Sequence, residues 1–287
     1  CNEQLKGKIL GEPASDHGVL VDRMLYVTLF VTFIVFVLTQ VALFWFSYKY
    51  QEKENQKAFY FPHDNKLELI WTVIPAIVLT VLVGFGIFYW FKITGTAPKE
   101  AMQVEVVGKQ FGWEFRYPGK DKVLGKKYFK NVNPAANNPV GQIWDDPANY
   151  DDVFVEQEMH LVVGKPVQLV IGAKDVIHDV GLAHFRLKMD AVPGTPTTMW
   201  FTPTITTAEM RKKTGNPDFV YELSCDQMCG KGHWSMRGVI VVETQEEFDA
   251  WMAGKKPQYL VANPDKDPSV KKDTLSAAAP LTGAVIR

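Results

Sequence analysis

Residues 219–244 read FVYELSCDQMCGKGHWSMRGVIVVET, and the rest of the chain is read outward from them. The flanks, FVYELSC and RGVIVVET, have the β-branched and aromatic density of strands. Between them stand Cys225, Cys229, His233 and Met236, at spacings of four, four and three. The whole chain has only three cysteines and six histidines, so this concentration is not an accident of composition. Thiolate, imidazole and thioether together suit copper. A structural zinc site would use four Cys or His ligands and leave the methionine idle. A Cys225–Cys229 disulfide would leave His233 and Met236 without a role. A single blue-copper site needs one cysteine, whereas two bridging thiolates can hold two copper ions close together. A second histidine must then come from elsewhere. On pattern alone His160, His178 and His184 all qualify.

Working outward, the runs MQVEVVGKQFGWEFRYP, HLVVGKPVQLVIGAK and TTMWFTPT are short, strand-like and separated by Gly, Pro, Asn and Asp. They predict a small all-β sandwich or barrel over 96–262. Residues 119–153 read as a long polar excursion between strands, and EEFDAWMAG as one short amphipathic helix. Asp145, Asp146, Asp151 and Asp152 in that excursion form an acidic cluster of the kind that steers a basic partner. From 263 to 287 the chain loses all periodicity, and an irregular tail is expected there.

Toward the N-terminus the composition changes. Met24–Ser47 and Leu69–Phe91 contain no charged residue. A bilayer core needs about 20 such residues, and a soluble helix would carry a polar stripe. A two-helix membrane anchor is therefore expected over 21–95. Pro75 is better tolerated in a membrane helix than in a soluble one. Tyr48, Tyr50, Tyr89 and Trp90 stand at the ends, where interfacial aromatics gather. The connecting loop carries Lys49, Lys53, Lys57 and Lys66, which places it in the cytoplasm by charge bias. Both termini and the β domain then fall on the outer, periplasmic side of a bacterial inner membrane. An outer-face segment, 1–20, begins at Cys1, and a lipid-modified cysteine there would fit that topology. The formal net charge of −1 gives no electrostatic case for nucleic acid.

The motifs DVIH (residues 175–178), KMDAVPG (188–194) and C-x-x-x-C-x-x-x-H-x-x-M occur in one order and spacing. In these the chain resembles subunit II of the haem–copper cytochrome c oxidases over roughly 20–255. The resemblance implies a two-helix transmembrane hairpin followed by an all-β cupredoxin-like sandwich carrying the dinuclear copper A centre. It implies that Cys225 and Cys229 bridge two copper ions and that His178 and His233 each cap one. It also implies weak ligation by Met236 and by the Gln227 carbonyl. His178 is preferred over His184 because it stands in the DVxH position. The implied activity is electron transfer from a cytochrome c, or a haem c domain of another protein, to haem in oxidase subunit I. There the complex reduces oxygen to water and moves protons across the membrane. Other oxidase subunits are expected partners. Glu68 matches a carboxylate at the mouth of a proton pathway in subunit I.

Three departures qualify the resemblance. Gln227 stands where the family often has a Glu that helps bind magnesium or manganese at the subunit interface. Amide oxygen is a poorer ligand for a hard cation, so that site, with Asp190 as its other residue here, is in question. Phe111 replaces the first tryptophan of the aromatic segment where cytochrome c docks, while Trp113 retains the second. No C-x-x-C-H occurs, so no covalent haem of that kind is expected in this chain. Three rival readings remain: a membrane-tethered copper-binding or delivery module, which needs exposed, exchangeable ligands; a copper-free quinol oxidase subunit II, which would lack the ligands; and a nitrous-oxide reductase, which needs a large further domain.

Overall fold

The computed structural model describes residues 11–55, 57 and 60–268. Cys1 and most of the predicted 263–287 tail lie outside the described residues.

Two long helices come first, α1 (Asp16–Lys49) and α2 (Asn65–Thr94). Each starts on a side-chain cap. Ser15 Oγ accepts from Gly18 N, and Asp64 accepts from Lys66 N and Leu67 N, which satisfies otherwise orphaned donors. Both are long and apolar enough to cross a membrane, and the most apolar stretch of each has no residue buried within the chain. Phe30, Phe44, Leu79 and Phe88 all point outward. A soluble protein has no means of stabilising that surface.

At 34 residues α1 would measure about 51 Å, well beyond a bilayer core of about 30 Å. It starts at Asp16 rather than near Met24, and so runs into the segment predicted as a separate 1–20 piece. The extra turns dock on the β domain. Ser15 Oγ donates to Phe185 O at 2.7 Å, and Asp16 Oδ1 accepts from Thr202 N at 3.0 Å. Arg186 Nε donates to Asp22 Oδ1 at 2.6 Å. His17 is buried edge-on against Trp200, whose Nε1 donates to Lys92 O at the end of α2. One patch of the sandwich thus grips the outer ends of both helices.

The β domain comprises β1 (Met102–Lys109), β2 (Gly112–Tyr117), β3 (Val153–Glu156), β4 (Glu158–Val162), β5 (Val167–Ala173), β6 (His178–Leu182), β7 (Leu187–Ala191), β8 (Thr197–Phe201), β9 (Tyr221–Cys225) and β10 (Arg237–Glu243). They form two five-stranded sheets, ordered β3-β2-β1-β5-β8 and β4-β10-β9-β6-β7. Three short helices, α3 (Thr207–Thr214), α4 (Gln245–Ala253) and α5 (Gln258–Ala262), complete the domain. Inward residues of both sheets, among them Val104, Val106, Phe115, Leu169, Leu223 and Ile240, make one core. The EEFDAWMAG helix is present as α4, opened by a capping box between Thr244 and Glu247.

The 119–153 excursion is better built than a polar loop. It contains 3₁₀ turns at 129–131, 134–136 and 147–149 and lies over the outward face of β1 and β2. The clamp is a buried ionic network. Arg116 Nε bonds Glu105 Oε2 at 2.6 Å, and its Nη1 donates to Asp152 Oδ2, Asn149 Oδ1 and Gly125 O. Lys127 reaches Glu105 from the excursion. The first residues of the predicted tail are packed too, since buried Asp267 pairs with Lys256.

Removing Arg116 would leave buried Asp152 without its cation and Glu105 with Lys127 alone, which is far worse than a lost surface pair. Arg116→Met should therefore lower the stability of the β domain by about 3–5 kcal/mol. Denaturant unfolding of the detergent-solubilised chain, followed by near-ultraviolet circular dichroism, measures it.

Candidate metal centre

The site lies where β6 begins and β9 ends. Antiparallel pairing of β6 with β9 sets Val180 opposite Cys225, and Asp226 N bonds back to Asp179 O. That register brings His178, two residues before Val180, beside the cysteine. The chain then loops through 226–236, and Cys225 N bonds Met236 O as β10 begins.

Cys225 Sγ and Cys229 Sγ are 3.7 Å apart. His178 Nδ1 lies 3.8 Å from Cys225 Sγ, and His233 Nδ1 lies 3.7 Å from Cys229 Sγ. Met236 Sδ is 3.8 Å from Cys229 Sγ, and the Gln227 carbonyl is 3.2 Å from Cys225 Sγ. A tetrahedral ion with metal–sulfur bonds of about 2.3 Å and metal–nitrogen bonds of about 2.0 Å has ligand–ligand edges of about 3.8 and 3.6 Å. The donor atoms already stand at those separations, so they fit a thiolate-and-imidazole metal site. His178, Cys225 and Cys229 offer ligand atoms all within 4.8 Å of one another. All three are buried, as is Met236. The thiols are free, and no disulfide is formed between them. Burial, followed by the hydrogen bond with Cys225, pushes the Cys229 thiol up to about 11. A metal must therefore displace a firmly held proton there.

One residue absent from the sequence reading completes the histidine arm. His178 Nε2 donates to Asp175 Oδ1 at 2.8 Å, which leaves Nδ1 as the free ligand nitrogen. Burial alone would raise the Asp175 carboxyl. Hydrogen bonds from His178, Gln110 N and Val176 N outweigh it and hold the group below its usual range. The signal was present in DVIH, where a carboxylate stands three residues before the histidine. Gly108 matters for a different reason: a Cβ there would lie 2.9 Å from His178 Cδ2.

The other predicted residues separate. Trp113 is fully buried with its ring edge-on to His178, centroids 6.1 Å apart. Phe111 is 40% exposed and lies over Gly230 and Gly232 of the ligand loop. A Cβ on Gly232 would come within 2.5 Å of that ring. Of the two aromatics, only Phe111 faces solvent. Asp190 is exposed and stands directly across from Asp179. Glu68 is exposed in the first turn of α2. His184 packs on Phe219 and Tyr221, and His160 stacks on Trp251 while bonding Glu243, so both have structural partners. The acidic cluster divides: Asp145 is exposed, Asp146 and Asp151 are half-buried, and Asp152 is buried. Asp152 is buried on Arg116, Asp151 accepts from Lys120 N and Asp121 N, and Asp146 accepts from Lys126 N.

A two-helix anchor bearing a β-sandwich, with a soft-ligand site at the sandwich's strand ends, defines a membrane-tethered cupredoxin-like metal domain. Residues 13–88 match the family described as cytochrome c oxidase subunit II, transmembrane domain, and residues 102–244 match its periplasmic domain. An alternative cytochrome c oxidase subunit 2 of Bradyrhizobium diazoefficiens is 32% identical, over 85% of this chain and 83% of that protein. A cytochrome c oxidase subunit 2 of Thermostichus vulcanus is 26% identical, over 92% and 82% respectively. The crystal structure of a periplasmic domain of cytochrome oxidase subunit II from Bradyrhizobium japonicum aligns at 22% identity and a TM-score of 0.40, over 57% of this chain and 99% of that one. The chain belongs to the cytochrome c oxidase subunit II family. Membership makes it a component of an oxidoreductase complex.

Replacing Asp175 with Ala frees the His178 ring and should weaken copper binding by about 10- to 100-fold. Competition with a calibrated copper chelator gives the affinity directly. Asp175→Asn, which keeps an acceptor oxygen, should lose less.

Proposed function

We propose that this chain is the electron-transfer subunit of a respiratory cytochrome c oxidase, holding a dinuclear copper A centre. The observation that carries the reading is the convergence of two thiols, two imidazole Nδ1 atoms, a thioether and a carbonyl at metal-ligand separations. Cys225, Cys229, His178 and His233 would hold the copper, with Met236 and the Gln227 carbonyl as weaker ligands. Such a centre supplies one-electron uptake and release with little rearrangement of its surroundings.

The residues around it have separable roles. Asp175 holds the His178 ring in one orientation. Phe111 covers the loop on the solvent side and is the contact for a cytochrome c-like donor, with Trp113 buried behind it as packing for His178. The exposed side chains of Met228 and Trp234 flank the loop elsewhere, where oxidase subunit I would pack. That partner carries the haem and reduces oxygen to water with proton pumping. Glu68 at the start of α2 collects protons at the cytoplasmic boundary. Asp190 and Gln227 are the residues that would hold a magnesium or manganese ion at the interface with subunit I, and the amide of Gln227 makes that a weak site.

In this reading 21–95 anchors the chain in the inner membrane and 96–262 is the copper domain. The lysine-rich loop faces the cytoplasm. The β domain faces the periplasm. Burial of His178, Cys225, Cys229 and Met236 argues against a delivery module, whose ligands must exchange their metal readily.

The test is metal stoichiometry and electron paramagnetic resonance of the copper-loaded chain. Two coppers per chain, with the unpaired electron split by both nuclei, are expected. A single-copper spectrum, or no retained copper, overturns the dinuclear assignment. Cys229→Ser removes one bridge and should convert any bound copper to a single-nucleus spectrum.

A further inference from the structure

The β1–β2 turn touches both arms of the metal site through one residue. Gln110 N donates to Asp175 Oδ2 at 2.7 Å, and Asp175 in turn holds His178 Nε2. The side chain of Gln110 goes the other way. Its Nε2 donates to Cys229 O at 2.6 Å, a carbonyl in the middle of the ligand loop. The next residue is Phe111, whose ring lies on Gly230 and Gly232. Residues more than a hundred positions apart in sequence are thereby joined across two sheets.

The ligand loop needs such a tie. Between Cys225 and Met236 its backbone is held by few bonds of its own, among them His233 N to Gly230 O and Ser235 N to Gly232 O. Gly230 has φ of +130°, a conformation other residues rarely adopt. Loops without regular pairing open at low free energy unless something outside them holds them. The Gln110 amide is such an external hold, and it acts on the residue that carries a bridging sulfur.

We propose that Gln110 is a positioning residue of the metal centre. It clasps the His178 arm, through Asp175, and the Cys229 loop to the single turn that presents Phe111. The inference rests on the copper reading above and extends it. The surface that meets the donor and the cage that holds the metal form one mechanical unit. Contact at Phe111 is then made on a loop already fixed in place.

Two variants of the full chain separate this from a surface role. Gln110→Met keeps the shape and the backbone N–H but has no side-chain donor. Gln110→Lys restores a donor. Hydrogen exchange of amides 226–232 is measured without metal, and release of bound copper to a chelator with metal. Gln110→Met should speed both, copper release by about 10-fold or more, with the copper hyperfine pattern altered and the two-copper stoichiometry kept at saturation. Gln110→Lys should return both rates toward the parent. Unchanged loop exchange and copper release in Gln110→Met overturn the proposal. So does equal acceleration across β4 and β10, which would mean general destabilisation. If the parent chain binds no copper at all, the oxidase reading fails, while the exchange experiment still reports on the clasp.

Discussion

The pairing of β6 with β9 is the constraint on which the rest depends. Because Val180 stands opposite Cys225, the first residue of β6 is carried to the mouth of the β9–β10 loop. A shift of one residue would turn His178 to the opposite face of its sheet and separate the imidazole from the thiol. The hydrophobic alternation of both strands prevents that slip, since Val180, Leu182, Leu223 and Cys225 must all face the same core. Core packing thus sets the metal geometry before any metal is present. The donor atoms need little rearrangement on loading, and a preorganised cage suits the one-electron role proposed above.

Around that pairing, the sandwich is fastened at two places with different chemistry. On the outward face of β1 and β2, Arg116 sits between Glu105 and Asp152 and clamps the excursion. At the other edge, Ser15, Asp16, Asp22 and Lys92 tie the helix ends to β8 and to Arg186. The second set matters for function. In the electron-transfer role proposed above, the copper domain would need a fixed distance from the partner's haem, and a domain swinging on a loose linker would not keep it. Hydrogen bonds from both helices to one patch of the sandwich remove that freedom. The α1 extension from Asp16 exists for this reason, and its polar residues, His17, Asp22 and Arg23, belong to a helix end outside the apolar span.

Much of this was legible in the chain. The charge-free runs at 24–47 and 69–91 exposed the anchor, because no soluble packing tolerates them. The strand–loop–strand around Cys225 and the soft ligands within it exposed the metal domain, because few other arrangements use thiolate, imidazole and thioether together. The acidic excursion was legible only in part. Counting Asp145, Asp146, Asp151 and Asp152 gave four equal charges, but Asp152 is buried on Arg116 while Asp146 and Asp151 are half-buried and cap backbone N–H groups. Composition reports charge and carries no direction.

The sequence by itself determined the membrane anchor, the all-β domain and the loop ligands, since each rests on periodicity or on residues close together along the chain. Residue pattern alone left three distant histidines open, and the family resemblance singled out His178. Only the tertiary structure decided how His178 is carried to the cysteines, that Asp175 and Gln110 hold the two arms, and that Phe111 is exposed while Trp113 is buried. Those choices depend on strand register and on contacts between residues up to 119 positions apart. Local sequence does not encode them, because cross-sheet neighbours are chosen by the packing of the whole core.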